Sequence, residues 1–237
     1  MLWARCLRTA DVLVVYASDQ VAAIAAAFDR GPVKVDFIPF GVDAGFFSAA
    51  REDEGRENQR FVLSVGTNAG KDFDTLVRAM PPDVPLRVVT DQMNAKLIFA
   101  GSQPDGNVIV DQAIPIRRLR ELYRAATVSV LPLHEAPFSS GQTVLLENMA
   151  LGKAVIVSDV SGVRDYVEPG VTATVVPPGD VASLRRAIGA ALDTPETHLR
   201  IGHAAAESVR CRFLAQHFAA RLSRIIAELC RGTVPFG

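Results

Sequence analysis

The chain has 237 residues, enough for one large domain or one and a half small ones. Its residues are 49% apolar and 22% charged, ordinary for a globular protein with a buried core, and a net charge of −1 gives no bulk attraction to nucleic acid or to an acidic surface. Cys6, Cys211 and Cys230 lie far apart with no C-x-x-C spacing, which argues against a disulfide framework or a zinc site and fits a reducing cytoplasm. The N-terminus lacks a signal-peptide design, and no stretch approaches the ~18 apolar residues of a membrane span.

Strand-length apolar runs alternate with helical patterns along the chain. Asp11–Ala17 reads as a strand, Ser18 as the N-cap of a helix over Asp19–Phe28, and Val33–Ile38 as a returning strand closed by Pro39. The polar segment Arg51–Arg60 has no apolar periodicity and reads as a linker. The pattern then restarts. Strands are expected at Phe61–Val65, Leu86–Thr90, Asn107–Asp111, Thr127–Leu131, Ala154–Val157 and Thr172–Val176. Helices are expected at Phe73–Met80, at Ile116–Ala126, from Ser140 to Gly152, at Gly162–Val167, and from Asp180 to the end. Arg117, Arg118, Arg120 and Arg124 make one of these helices basic; a solvated face is the plain reading, and a membrane-surface or nucleotide role the alternative.

Strand–helix alternation with non-alternating, β-branched strands predicts an α/β fold: a Rossmann-like parallel sheet with helices on both faces. Such sheets bind ligands where strand carboxyl ends meet helix N-termini. The first loop to inspect is "SVGTNAGKDFDTL", where Gly66 and Gly70 let a phosphate approach the backbone and Lys71 supplies a point charge. The second is "LPLHEAPFSSGQT", where Ser139 or Ser140 can cap a helix and leave amides free at Gly141, Gln142 and Thr143. Ser140, Thr143 and Glu147 stand at i, i+3 and i+7, a polar stripe on an otherwise largely apolar helix. The stripe is expected to line a cleft, with Glu147 placed to accept hydrogen bonds from a ribose diol; an edge glutamate paired with Lys153 is the alternative. His134 ends a strand and is the one histidine expected near a ligand.

These segments, in order, resemble the group 1 (family 4) glycosyltransferases of the GT-B fold. The matching stretches are "FIPFGVDAGFF", "VLSVGTNAGKDFDTLVRAM", "LRELYRAATVSVLPL", "LLENMALGKAVIVSDVSGVRDYV" and "GVTATVVPPGDVASLRRAI", together covering residues 11 to 192. The resemblance implies a retaining transferase that uses a nucleotide-diphosphate sugar, with neither metal nor other cofactor, and passes the sugar to a glycan, lipid or small-molecule acceptor. Glu147 matches the second glutamate of the E-x7-E motif and would hold the donor ribose. Gly66, Thr67 and Lys71 fall in the phosphate loop, the amides from Ser140 to Thr143 at the diphosphate-binding helix start, and Asp111–Ile114 where the base is often cradled.

Three positions depart from the pattern: Ser139 stands where the first motif glutamate would fall, Thr67 replaces the arginine of "VGR", and Phe40 replaces the asparagine of "NGVD". The expected organisation is a remnant of the acceptor domain over residues 1–45, a linker over 46–60, a donor domain over 61–205 and a returning helix over 206–237. Unpaired strand edges and an exposed apolar patch should accompany a remnant. A cytoplasmic protein, with peripheral contact at the inner membrane face as an extension, is expected. Two rivals stand beside the transferase: a module that binds nucleotide sugar without turnover, and a GT-B sugar-nucleotide epimerase.

Overall fold

The computed structural model describes residues 10–27, 34–48, 60–100, 108–136 and 140–232. It holds two parallel sheets. The smaller consists of β1 (Val12–Val15) and β2 (Lys34–Phe37), joined through α1 (Asp19–Ala27), with Val12 opposite Lys34 and Val15 opposite Phe37.

The larger sheet has six strands: β3 (Val62–Val65), β4 (Leu86–Thr90), β5 (Val108–Gln112), β6 (Val128–Leu131), β7 (Val155–Ser158) and β8 (Thr174–Val176). Their order is β5-β4-β3-β6-β7-β8, and every pairing is parallel. Every residue of β3, β6 and β7 is buried, as a sheet covered on both faces requires. Alternation sends Leu63, Val155 and Val157 into one core and Val62 and Ile156 into the other.

On the first face lie α4 (Ile116–Ala125), α5 (Gln142–Ala150) and α8 (Pro195–Arg212), through Tyr123, Leu145, Met149 and Val209. On the second lie α2 (Phe73–Ala79), α3 (Gln92–Ala100) and α7 (Val181–Asp193), through Leu76, Ile98 and Ile188. Asp72 caps α2 by accepting the Thr75 amide at 3.1 Å, and Asp180 caps α7 by accepting the Ser183 amide at 3.0 Å. Helix α3 was not expected from the sequence.

The strand order reverses at β3, which pairs with β4 on one side and β6 on the other. In an open parallel sheet this switch point opens a crevice at the strands' carboxyl ends. The loops after β3 and β6 meet there.

Discrete contacts tie the small sheet to the large one. After a short α6 (Ser161–Arg164), Asp165 accepts from the Ser18 amide and hydroxyl, both at 2.7 Å. Val42 pairs with Leu214 just before α9 (Ala215–Gly232), and Lys34 lies 3.8 Å from Glu228 of that helix.

Phe46 and Phe47, at the start of the expected linker, are packed: Arg120 lies 4.5 Å over the Phe46 ring, and Phe47 stands 6.4 Å from Tyr123. Residues 49–59 of that linker lie outside the described ones. Arg120 and Arg124 of the basic helix donate to the Phe46 and Ser48 carbonyls at 3.0 and 2.7 Å, so these two arginines hold a turn. Among the described residues, no helix is long and apolar enough to cross a membrane.

Candidate functional site

The loop after β3 is shaped by one close approach. A Cβ on Gly66 would sit 1.9 Å from Lys71 Cε, so the lysine stem lies where any other side chain at 66 would be. Asn68 Oδ1 accepts the Gly70 amide at 3.1 Å and closes the turn. Lys71 is 6% exposed, and its Nζ donates to Ser140 Oγ at 3.3 Å. Burial pushes its pKa down to about 8.

Two backbone bonds stitch this loop to the one after β6. Asp72 N–H donates to Pro132 O at 3.1 Å, and His134 N–H donates to Gly70 O at 3.0 Å.

The start of α5 corrects one expectation. Ser140 does not cap the helix; its hydroxyl donates to Asn68 Oδ1 at 3.0 Å instead. The N-cap is Gly141, in the left-handed region at φ 92° and without a side-chain cap bond. A Cβ there would also come within 3.0 Å of Leu131 Cδ2 and 3.1 Å of Leu133 Cδ1, so glycine is needed for conformation and for space. With no side-chain cap, the first-turn amides of Gln142 and Thr143 have no partner within the helix. They form a positive helix end beside Lys71, a combination suited to an anion. The Gln142 side chain donates to Gly162 O at 2.6 Å and pins this end to the next turn.

Glu147 lies one turn past Thr143 on the same face and is 7% exposed. Its Oε2 accepts from the Tyr123 hydroxyl at 2.8 Å. Burial raises its pKa to about 7, with the Tyr123 bond pulling the other way. The same burial and the neighbouring carboxylate hold the Tyr123 phenol well above its ordinary value. Lys153, the alternative partner, donates to Ala126 O at 3.0 Å.

Gly66, Thr67, Lys71, Ser140, Gly141, Gln142, Thr143 and Glu147 line one cavity of 420 Å³. The polar stripe therefore faces a cleft. Asn68 of the same loop lines it as well, as do Tyr16, Phe40, Leu119 and Tyr123, which periodicity could not have assigned because they come from distant segments.

Asp111 and Ile114 do not reach this lining. The Asp111 carboxylate is held by the Arg87 guanidinium, with Nη2 at 3.2 Å from Oδ1, and Ile114 packs against the core. Ser139 lies outside the described residues. Glu135 accepts the Ser161 amide at 3.4 Å, and His134 Nδ1 is 3.7 Å from Asp72; neither lines the cavity.

A family model for glycosyl transferases group 1 matches residues 59–194. The D-inositol 3-phosphate glycosyltransferase of Corynebacterium efficiens is 26% identical over 258 residues, an alignment covering 95% of this chain and 59% of that one. Sucrose-phosphate synthase from Thermosynechococcus elongatus matches with a TM-score of 0.80 at 26% identity, over 98% of this chain and 62% of that one. Anabaena HepE in complex with UDP-glucose shares the fold, with a TM-score of 0.77 at 18% identity over 92% of this chain and 64% of the other. This chain thus spans less than two thirds of each of these relatives. With its doubly wound sheet and a family match over more than half its length, the chain belongs to the group 1 glycosyl transferases of the GT-B fold.

Proposed function

We propose that the cleft at the switch point binds a nucleotide-diphosphate sugar and that the chain serves retaining transfer of a hexosyl group from it. The observation that carries this reading is the meeting of Lys71 Nζ, the Ser140 hydroxyl, the uncapped start of α5 and Glu147 in one cavity. In this reading the diphosphate lies against Lys71 and the first amides of α5, and the Glu147 carboxylate accepts from the ribose diol with the oxygen that Tyr123 leaves free. The structure of Anabaena HepE with UDP-glucose, on the same fold, supports this choice of donor class.

During transfer the bond from the sugar's anomeric carbon to the diphosphate breaks, and a bond to an acceptor hydroxyl forms on the same face. The acceptor's proton leaves on the departing phosphate oxygen. Charge building on the diphosphate meets groups already aimed at it, which is where a site of fixed dipoles lowers a barrier most. Asp111 and Ile114 carry no part in this proposal.

Calorimetric titration with UDP-, GDP- and ADP-hexoses tests the reading. One base should bind, and Glu147→Ala should weaken that binding at least tenfold. Absence of binding by folded protein would sink the donor assignment, and unchanged affinity in Glu147→Ala would sink the ribose assignment. A second reading draws on the chain's covering less than two thirds of its relatives: the same cleft binds donor, but the 237-residue chain transfers nothing without a further acceptor-binding part. Glycoside formation by the chain alone would rule that reading out.

A further inference from the structure

Part of the cleft lining belongs to neither the anion cradle nor the Glu147 pocket. Tyr16, just after β1, and Phe40, shortly after β2, bring two aromatic rings from the small sheet into the same cavity. The rings are 5.4 Å apart and nearly perpendicular, at 87°. Phe218 of α9 backs both, at 6.3 Å from Tyr16 and 6.1 Å from Phe40.

One buried hydroxyl fixes the backbone under the two rings. Tyr166 accepts the Phe40 amide at 2.9 Å and donates to the Tyr16 carbonyl at 2.7 Å, while its own ring rests on Phe213 at 5.2 Å. Tyr166 is fully buried, yet Tyr16 is 37% exposed. An aromatic side chain left open to a cavity, with its main chain held this firmly, is organised in advance for a ligand face.

The geometry selects among ligand faces. Rings at right angles form a corner, one presenting a face and the other an edge. A planar base can use both rings, stacked on one and edge-on to the other, but in the proposed reading the nucleoside lies on the Glu147 side of the diphosphate, which leaves the sugar for the small sheet. A pyranose chair has apolar C–H faces and a hydroxyl rim, so its faces can meet both rings.

We propose that Tyr16 and Phe40 form an aromatic corner that grips a pyranose ring in this cleft and helps determine sugar specificity. The proposal rests on the reading of the cleft as a nucleotide-sugar site. Two pyranoses share the required chemistry: the sugar of the donor and that of a saccharide acceptor.

The test begins with the unaltered protein, titrated calorimetrically with UDP, GDP and ADP and with their hexose conjugates. Tyr16→Ala and Phe40→Ala follow, with thermal melting as the check on folding. Phe40→Leu keeps apolar packing against Phe218 and carries the test if Phe40→Ala does not fold.

If the donor sugar sits in the corner, the variants bind the nucleotide hexose about tenfold more weakly and the bare nucleoside diphosphate unchanged. If an acceptor sugar sits there, both nucleotide ligands bind as before, and maltose or methyl glucoside titrated into diphosphate-loaded protein binds about tenfold more weakly than to the unaltered protein. An equal loss for the nucleoside diphosphate and its hexose conjugate would mean that the rings meet the nucleoside, and would overturn the proposal. So would unchanged affinity in every arm. Failure of the unaltered protein to bind any nucleotide would instead strike the reading of the cleft itself, and this inference with it.

Discussion

The two sheets supply parts of one cleft but are held in different ways. In the large sheet, β3, β6 and β7 are buried at every residue, and helices cover both faces. In the small sheet, only Val15 is fully buried among the strand residues. Among the described residues, the ties of the small sheet include the Tyr166 hydroxyl, the Ser18–Asp165 pair, the Val42–Leu214 bridge, the Lys34–Glu228 pair and the rings around Phe218, with Phe40 packed against the first-face core. The anion cradle thus stands on a cooperative body, and the aromatic corner on contacts that can be removed one at a time. Substitutions should separate the two.

The largest effect is expected in the body. Helix α8 packs through Gly202 against the turn that ends α5, and a Cβ on Gly202 would lie 2.0 Å from the Gly152 carbonyl oxygen. That neighbour is backbone and cannot swing away. Gly202→Ala should therefore lower unfolding free energy by about 3 kcal/mol or more, read as a shift in the urea midpoint. Gly189→Ala sharpens the contrast. Gly189 lies inside α7 with nothing within 4 Å of a new Cβ, so the same chemical change should stabilise by about 0.5–1 kcal/mol.

The next effect tests whether the body gives up stability for the site. Glu147 titrates at about 7 in the folded protein against an ordinary 4.5, chiefly because it is buried. Between those values the folded state holds a proton that the unfolded state has released. Stability therefore falls as pH rises from 4.5 to 7 and is level beyond. The loss is on the order of 3 kcal/mol. Glu147→Gln keeps the shape and an acceptor for Tyr123 but removes the titration. It should match the unaltered protein near pH 4, exceed it in stability at pH 8, and bind donor more weakly. Denaturant melts at both pH values decide this; parallel pH dependence of the two proteins would refute it.

A smaller, local effect is expected at the junction. Tyr166→Phe strands the Phe40 amide and the Tyr16 carbonyl, a loss of about 2 kcal/mol if both stay dry. Faster hydrogen exchange should be confined to β1, β2 and the turns after them, with the cradle still able to bind a nucleoside diphosphate. Uniformly faster exchange across both sheets would show that the halves are not separable.

Much of this architecture was legible because apolar periodicity carries it. Leu86–Thr90 was expected as a strand and is one, bounded by Pro85 on one side and Asp91 on the other. Helical phase put Thr143 and Glu147 on one face, and both line the cavity; Ser140 lines it too, from just before the N-cap Gly141 and outside the helix. Helix α3 escaped notice because "QMNAKLIFA" has no clean stripe: Ala95 and Ile98 are buried, while Met93 and Leu97 are exposed.

What was missed in the site depends on contacts distant in sequence. Tyr123 and Glu147 are 24 residues apart, and Tyr166 reaches Phe40 and Tyr16 across 126 and 150 residues. Asp111 was expected where the family cradles the base, and the pairing of β4 with β5 puts Arg87 within reach of it. The serine before Gly141 looked like a cap because its type favours one, and nothing local reveals that its hydroxyl turns to Asn68.

The last expected effect concerns the charge of the cradle, and its sign is opposite to that at Glu147. Burial lowers the Lys71 pKa to about 8 from an ordinary 10.5, so the folded protein releases this proton before the unfolded one does. Stability gains from this group as pH rises from 8 to 10.5, because the buried cation is lost. Binding should move the other way. A diphosphate beside Nζ favours the ammonium, so above pH 8, where Glu147 (about 7) is already largely ionised, affinity should weaken by at most tenfold per pH unit. Over that weakening range, binding should take up a proton, measurable as a dependence of calorimetric heat on the buffer's ionisation enthalpy. Lys71→Met should bind more weakly and show neither the pH dependence nor the uptake. If Lys71→Met keeps both, the titrating cation lies elsewhere, and the cradle depends on the α5 amides without the lysine charge.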